Sequence, residues 1–258
     1  MAPASLDGRV VLVTGAGGGI GRGTCVAVAE AGADVVATDV DLEHLADTVR
    51  AIESLGRGAL ALEMDVTDPG AVRAAFDRTV REMDGLDGLV NNAGVISMGS
   101  ALETDLGSWD AQFGVNVSGL FLCCREAARR MPDGGSIVNV ASNAGKVGYP
   151  NMAGYNASKA AVINLTRTLA AEWAERGINV NAVCPGGVDT PMLGGVAAWI
   201  AEEFGGDPDD ILAGMPPSQL GRLIQPIEVG RVIAILLSDD ARIIRGQALN
   251  ADGGDTPC

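Results

Sequence analysis

Three things that many enzymes depend on are scarce in this chain. Among 258 residues there is one histidine, His44, and there are two lysines, Lys146 and Lys159, while aromatic residues amount to 3%. A single histidine cannot assemble a histidine metal site, nor a serine–histidine–aspartate triad unless it is itself the base. His44 lies in the polar segment DLEHLADTVR, which reads as a solvated helix face. The five cysteines, Cys25, Cys123, Cys124, Cys184 and Cys258, are odd in number and form no C-x-x-C pair. Four of them lie among apolar or small residues, so reduced thiols in a cytoplasmic protein are expected, with no metal site. No run approaches about 18 unbroken apolar residues, and MAPASLDGR has neither a basic nor an apolar leader region, so no membrane span and no secretion signal are expected. Positive charge is also short: 18 Lys and Arg against 33 Asp and Glu leave a formal charge of -15. Such a surface repels nucleic acid and anionic lipid, and neither is expected as a partner.

What remains is a chain with 47% hydrophobic and 20% charged residues, enough for a large core built from Ala, Val, Ile and Leu. Seven short apolar runs punctuate it: RVVLVT (9–14), DVVATD (34–39), ALALEM (59–64), DGLVNN (87–92), SIVNVA (136–141), INVNAV (178–183) and QALNAD (247–252). They lack polar alternation, as strands covered on both faces do. Helical patterns fill the gaps at 19–31, 41–55, 69–84, about 108–131, 153–176 and 226–237. Asp68 and Pro69 give an N-cap and first-turn proline to the third of these. Strand–helix repetition implies right-handed crossovers and an α/β, doubly wound parallel sheet with helices on both faces. With no linker or repeat, residues 1–258 read as one domain. The exception to regularity is 186–222, Gly- and Pro-rich with only short helical patches, which reads as a substrate lid loop.

The first strand runs directly into TGAGGGIG. Gly15, Gly18, Gly19 and Gly21, with Ile20 among them, would let backbone approach a pyrophosphate while the next helix offers its N-terminus. A glycine tract alone says little in a chain with 36 glycines; a strand before it, a helix after it and Asp39 closing the next strand make it specific. A carboxylate at Asp39 can accept the adenosine ribose hydroxyls and repels a 2′-phosphate. Neither Gly18 nor Val40 supplies a cation, so the expected cofactor is NAD rather than NADP.

Ser142 ends a strand, and YNASK (155–159) opens a long helix. Tyr155 and Lys159 are four residues apart and share one helix face. A free phenol, with a pKa of about 10, is a poor base at neutral pH, and a nearby ammonium lowers that value. Ser142 can hydrogen-bond the substrate oxygen, and Asn116 could hold a water linking Lys159 to solvent. The set predicts general acid/base catalysis by Tyr155.

These motifs in this order, TGAGGGIG, NNAG (91–94), Asn116, Ser142, YNASK, PGGVDT (185–190) and DGG (252–254), resemble the single-domain short-chain dehydrogenase/reductase family over essentially the whole chain. The resemblance implies a Rossmann-like sheet of seven strands and a homotetramer or dimer built on the long helices. It implies Asp65 and Val66 beside the adenine, and Asn92, Ala93 and Gly94 on the adenosine–ribose side. Tyr155 and Lys159 would also touch the nicotinamide ribose, and Pro185, Gly186, Val188 and Thr190 would hold the nicotinamide end. The implied reaction is reversible hydride transfer between a secondary alcohol carbon and nicotinamide C4.

Position in the chain nominates Ala144, Val147, Tyr149, Met152, Gly187, Met192 and Leu193 as pocket wall. They are mostly apolar, and Lys146 is the one cation placed to grip an anionic group, so a neutral secondary alcohol, a cyclic alcohol or a polyol and its ketone fit best. Two other readings compete. A 3-oxoacyl-carrier-protein reductase is disfavoured by Asp39 and by the acidic surface, which suits an acidic carrier poorly. A catalytically silent NAD-binding regulatory protein would be expected to lack Tyr155 or Lys159, and both are present.

Overall fold

The computed structural model describes residues 5–131 and 134–256; Cys258 and the first residues of the leader segment lie outside them. Seven strands form one parallel sheet in the order β3-β2-β1-β4-β5-β6-β7. They are β1 (Val10–Thr14), β2 (Asp34–Asp39), β3 (Ala59–Glu63), β4 (Gly88–Asn91), β5 (Gly135–Val140), β6 (Ile178–Pro185) and β7 (Ala248–Ala251). The helices are α1 (Gly19–Glu30), α2 (Ala46–Ser54), α3 (Pro69–Met83), α4 (Leu106–Phe113), α5 (Leu120–Arg130), α6 (Ala153–Glu172), α7 (Pro191–Phe204), α8 (Pro208–Ala213) and α9 (Pro226–Leu237).

Alternation along β1 explains the two layers. Val10 and Leu12 face a core shared with α3, α5 and α6, including Phe76, Cys123, Cys124 and Val162. Val11 and Val13 face a second core with α1, α2 and α9, including Cys25, Val28, Ile52 and Ile233. With side chains alternating faces, a strand covered on both sides must be apolar, as Val10–Val13 are before the strand ends at Thr14. Helices α1 and α9 approach closely where glycine meets glycine: a Cβ on Gly23 would lie 2.5 Å from the Pro226 carbonyl carbon, and one on Gly230 would lie 2.6 Å from the Gly23 oxygen.

Three expectations need correction. Residues 186–222 are not a loop with short helical patches. Thr190 caps α7 by accepting the Leu193 amide, Pro191 sits in its first turn, and fourteen residues follow as helix despite Gly194 and Gly195. The stretch 108–131 is not one helix, because Gly114–Gly119 widens into a π-turn between α4 and α5. The 41–55 segment begins with a single 3-10 turn, Leu42–Leu45, capped by Asp41.

Candidate active site

Chain order and spatial order reverse between β1 and β4, and the loops leaving their C-terminal ends diverge to open a crevice there. Its floor is clamped from both sides. The Thr14 hydroxyl accepts the Asn92 and Ala93 amides, each at 3.0 Å, while the Asn92 carboxamide donates to the Thr14 and Gly15 carbonyls at 3.0 and 2.8 Å. Gly15 and Gly19 take φ of +62° and +48°, where side chains are strained. The cavity above has a volume of about 860 Å³. It is lined by Gly15, Gly18, Gly19, Ile20, Asp39, Val40, Asp65, Val66, Asn92, Ala93 and Gly94, and at its far end by Pro185, Gly186, Val188 and Thr190.

Gly21 departs from expectation. It does not line the cavity; a Cβ there would lie 2.0 Å from the Gly15 carbonyl oxygen, so it lets α1 pack against the loop rather than contact a ligand. The cradle fits a dinucleotide. Backbone too close for side chains, with a Cβ on Gly15 coming 2.9 Å from the Ala93 Cα, leads straight into the N-terminus of α1.

Asp39 ends β2 with its carboxylate accepting the Gly17 amide at 3.0 Å and the Val40 amide at 2.9 Å. It is not a helix cap, since Asp41 has that role. A histidine and an arginine come nearer than the sequence suggested. His44 places Nδ1 3.7 Å from the Asp39 carboxylate. Arg22 donates to the Gly17 carbonyl at 2.6 Å and to the Thr48 hydroxyl at 3.2 Å, and pairs with Asp47 at 3.6 Å. Arg22 is one turn along α1 from Gly18, and only the position of the neighbouring residues in space reveals it.

Ser142, Tyr155 and Lys159 all line the cavity. Lys159 is 4% exposed, and its ammonium donates to the Val140 carbonyl at 2.8 Å, tying α6 to the end of β5. It stands 5.6 Å from the Tyr155 ring centre. Burial pulls the Lys159 amine down from 10.5 to about 8. Burial also pushes the Tyr155 phenol above its ordinary value, opposed by a hydrogen bond with Ser142. The expected lowering of Tyr155 by the ammonium is not found here: desolvation dominates, and the opposing influence is the Ser142 hydroxyl. The Ser142 hydroxyl accepts the Ala144 amide at 3.1 Å.

Asn116 lies in the π-turn but outside the cavity lining. Its carboxamide accepts the Val95 amide at 2.8 Å and donates to the Val95 carbonyl at 2.9 Å and the Ser158 hydroxyl at 3.0 Å. Its side chain braces the β4 exit against α6, with both amide hydrogens committed to that contact. Lys146 is likewise removed from the substrate wall: it donates to the Ala248 carbonyl at 2.7 Å and to Asn250 at 2.5 Å. Ala144, Tyr149, Met152, Gly187, Met192 and Leu193 do line the cavity; Val147 does not.

Sequence reasoning missed three supports. Thr14 holds the floor. Asn91 donates to Asn139 at 2.9 Å, which donates to Thr166 at 2.9 Å, a buried chain joining β4, β5 and α6. Asp252 of the DGG motif accepts the Gly254 and Thr256 amides and backs Gly186, where a Cβ would come 2.9 Å from the Asp252 Cβ. Four cysteines are buried free thiols, and burial pushes Cys124 up to about 12. No cluster able to hold a metal ion, and no helix long and apolar enough to cross a membrane, occurs among the described residues.

A family model described as enoyl-(acyl carrier protein) reductase, of the short-chain dehydrogenase/reductase type, matches residues 15–256. The chain belongs to the short-chain dehydrogenase/reductase family. Cis-4-hydroxycyclohexanecarboxylate dehydrogenase of Sinomonas cyclohexanicum is 43% identical over 96% of each chain. The crystal structure of levodione reductase matches with a TM-score of 0.92 at 32% identity, covering 96% of this chain and 97% of that one. A solved Agrobacterium tumefaciens chain with bound NADP matches with a TM-score of 0.85 at 34% identity over 99% of each. The protein is an oxidoreductase with the family's Rossmann-like fold and nicotinamide cofactor class.

The burial of Lys159 has a measurable consequence for stability. Between pH 8 and 10.5 the unfolded chain holds a proton at this position that the folded chain has released, so stability rises with pH across that window. Relative to Lys159→Met, the wild type gains about 2 kcal/mol between pH 8 and 10, read from urea midpoints at each pH. Parallel pH responses of the two proteins would contradict it.

Proposed function

We propose that the protein interconverts a neutral secondary alcohol and its ketone, using NAD, with Tyr155 as general acid/base. The observation that carries this is the convergence of Tyr155, Lys159 and Ser142 on the far end of a cavity whose near end is the glycine cradle and Asp39. The cavity continues past Tyr155 and Ser142, leaving room for a carbinol beside both hydroxyls. Tyr155 exchanges the proton of the substrate oxygen, and Ser142 steadies that oxygen from its other side. Lys159, held by Val140, places its amine beside the phenol ring. Because burial keeps the phenol protonated at neutral pH, Tyr155 is ready there to donate to a ketone; alcohol oxidation needs the phenolate and is favoured as pH rises. A nicotinamide, when bound, supplies the hydride acceptor or donor.

Asp39 favours NAD: its carboxylate would repel a 2′-phosphate, and Arg22 is already engaged by Gly17, Thr48 and Asp47. A carrier-protein reductase remains disfavoured by the charge of -15. The same reading includes a cytoplasmic dimer or tetramer built on α5 and α6. Phe121, 39% exposed on α5, supports such a contact.

Tyr155→Phe is expected to abolish turnover, by at least about 100-fold, while NADH binding measured by fluorescence persists. Retained turnover would remove Tyr155 from the mechanism. The double change Asp39→Ala with Val40→Arg is expected to raise NADP affinity and lower NAD affinity in titrations; an unaltered NADP affinity would remove Asp39 as the selector.

A further inference from the structure

One wall of the cavity is α7, which protein covers only in part: Met192 is 39% exposed and Trp199 and Ile200 are half-buried, while Val196 is buried. Along α7, Met192, Val196, Trp199 and Ile200 recur at spacings of three and four, so they share one side, and with Phe204 they line the cavity. No α7 residue belongs to either core cluster, and the helix packs chiefly on α8. Phe204 is 67% exposed, with its ring edge-on to Trp199 at 5.9 Å. Met98, Met152, Met215 and Tyr149 complete the lining at this end. Four of the chain's eight methionines thus gather at one place with Tyr149, Trp199 and Phe204, in a chain with 3% aromatic residues. Thioethers and aromatic rings of this kind adapt to apolar shapes.

Charge at this end is one-sided. Lys159 is the sole cation among the described residues lining the cavity, and it is engaged by Val140. Asp255 also lines it. A smaller cavity of about 270 Å³, sharing Met98, Asn151, Trp199 and Phe204, adds Glu103, Asp105 and Glu203. A carboxylate placed here would lose water and meet carboxylates, and the hydroxyls of a polyol would lose water against Met, Val and Trp.

We propose that this chamber is a subsite for an uncharged hydrocarbon body, so that the substrate is a bulky alicyclic secondary alcohol, its carbinol carbon in a substituted or fused ring, rather than a polyol or a hydroxy acid. This rests on the alcohol-oxidation reading above. The substrate body covers the parts of this α7 side that stay exposed, Met192 and Phe204 above all, which makes substrate part of what holds α7 in place.

The test is kcat/KM for NAD-linked oxidation of cyclohexanol, decahydro-2-naphthol, 4-hydroxycyclohexanecarboxylate and threitol under one condition. Decahydro-2-naphthol should exceed cyclohexanol by at least about tenfold, with the carboxylate and threitol below cyclohexanol. Trp199→Ala should cut that advantage to about threefold or less; should this variant fail to fold, Phe204→Ala, at an exposed position, makes the same measurement. Threitol or the carboxylate matching decahydro-2-naphthol would overturn the subsite while leaving the dehydrogenase reading intact. Failure to oxidise any alcohol, in a chain that binds NADH, would overturn both. Independently of turnover, decahydro-2-naphthol added to the NADH-bound protein, a pair that cannot react, should slow amide exchange over 191–214, and unchanged exchange there would overturn the proposal.

Discussion

The carboxamide of Asn92 donates to the carbonyls of Thr14 and Gly15, and the Thr14 hydroxyl answers by accepting the Asn92 and Ala93 amides. These four hydrogen bonds join the ends of β1 and β4 at the one place in the sheet where the connections part. Without them two loops would leave neighbouring strands independently, and the glycine cradle would have no fixed floor. With them, Gly15 holds its left-handed backbone, α1 starts at a set position, and Gly94 comes within reach of Asn116 and Lys159. The cofactor cradle and the catalytic end of the cavity are thus two consequences of one junction.

The same economy governs the catalytic end. Lys159 is buried and tied to the last carbonyl of β5, so the pitch of α6 is referenced to the sheet and Tyr155 inherits its position. Burial sets the protonation of both groups: the amine is pulled down and the phenol pushed up, so neither carries its charge as readily as in water. Asn116, its carboxamide bonded to Val95 and Ser158, keeps the π-turn against α6. A π-turn of this kind interrupts the regular hydrogen-bond ladder and is often found at functional sites.

Much of this is legible in the amino-acid sequence. β2 and α9 coincide with the segments DVVATD and 226–237, because an apolar run closed by Asp39 and a helix opened by Pro226 carry their own boundaries. The cavity collects Ser142, Tyr155 and Lys159 as their spacing implied. What stayed hidden depends on partners distant in sequence. Gly21 looked like a ligand contact, since a glycine that serves packing is indistinguishable in the chain from one that serves a phosphate. Lys146 looked free until β7 supplied its acceptors. The π-turn has no compositional mark, and Gly194 and Gly195 masked α7, whose stability comes from its cap and its apolar side rather than from propensity.

Transfer of a labelled hydrogen tests the central chemistry most directly. An alcohol bearing deuterium on its carbinol carbon, oxidised by the protein with NAD, should deliver that deuterium to nicotinamide C4 with no loss to solvent and with a slower rate than the protium compound. Product formed without label in the reduced cofactor, or with label washed out into water, would contradict hydride transfer at this site.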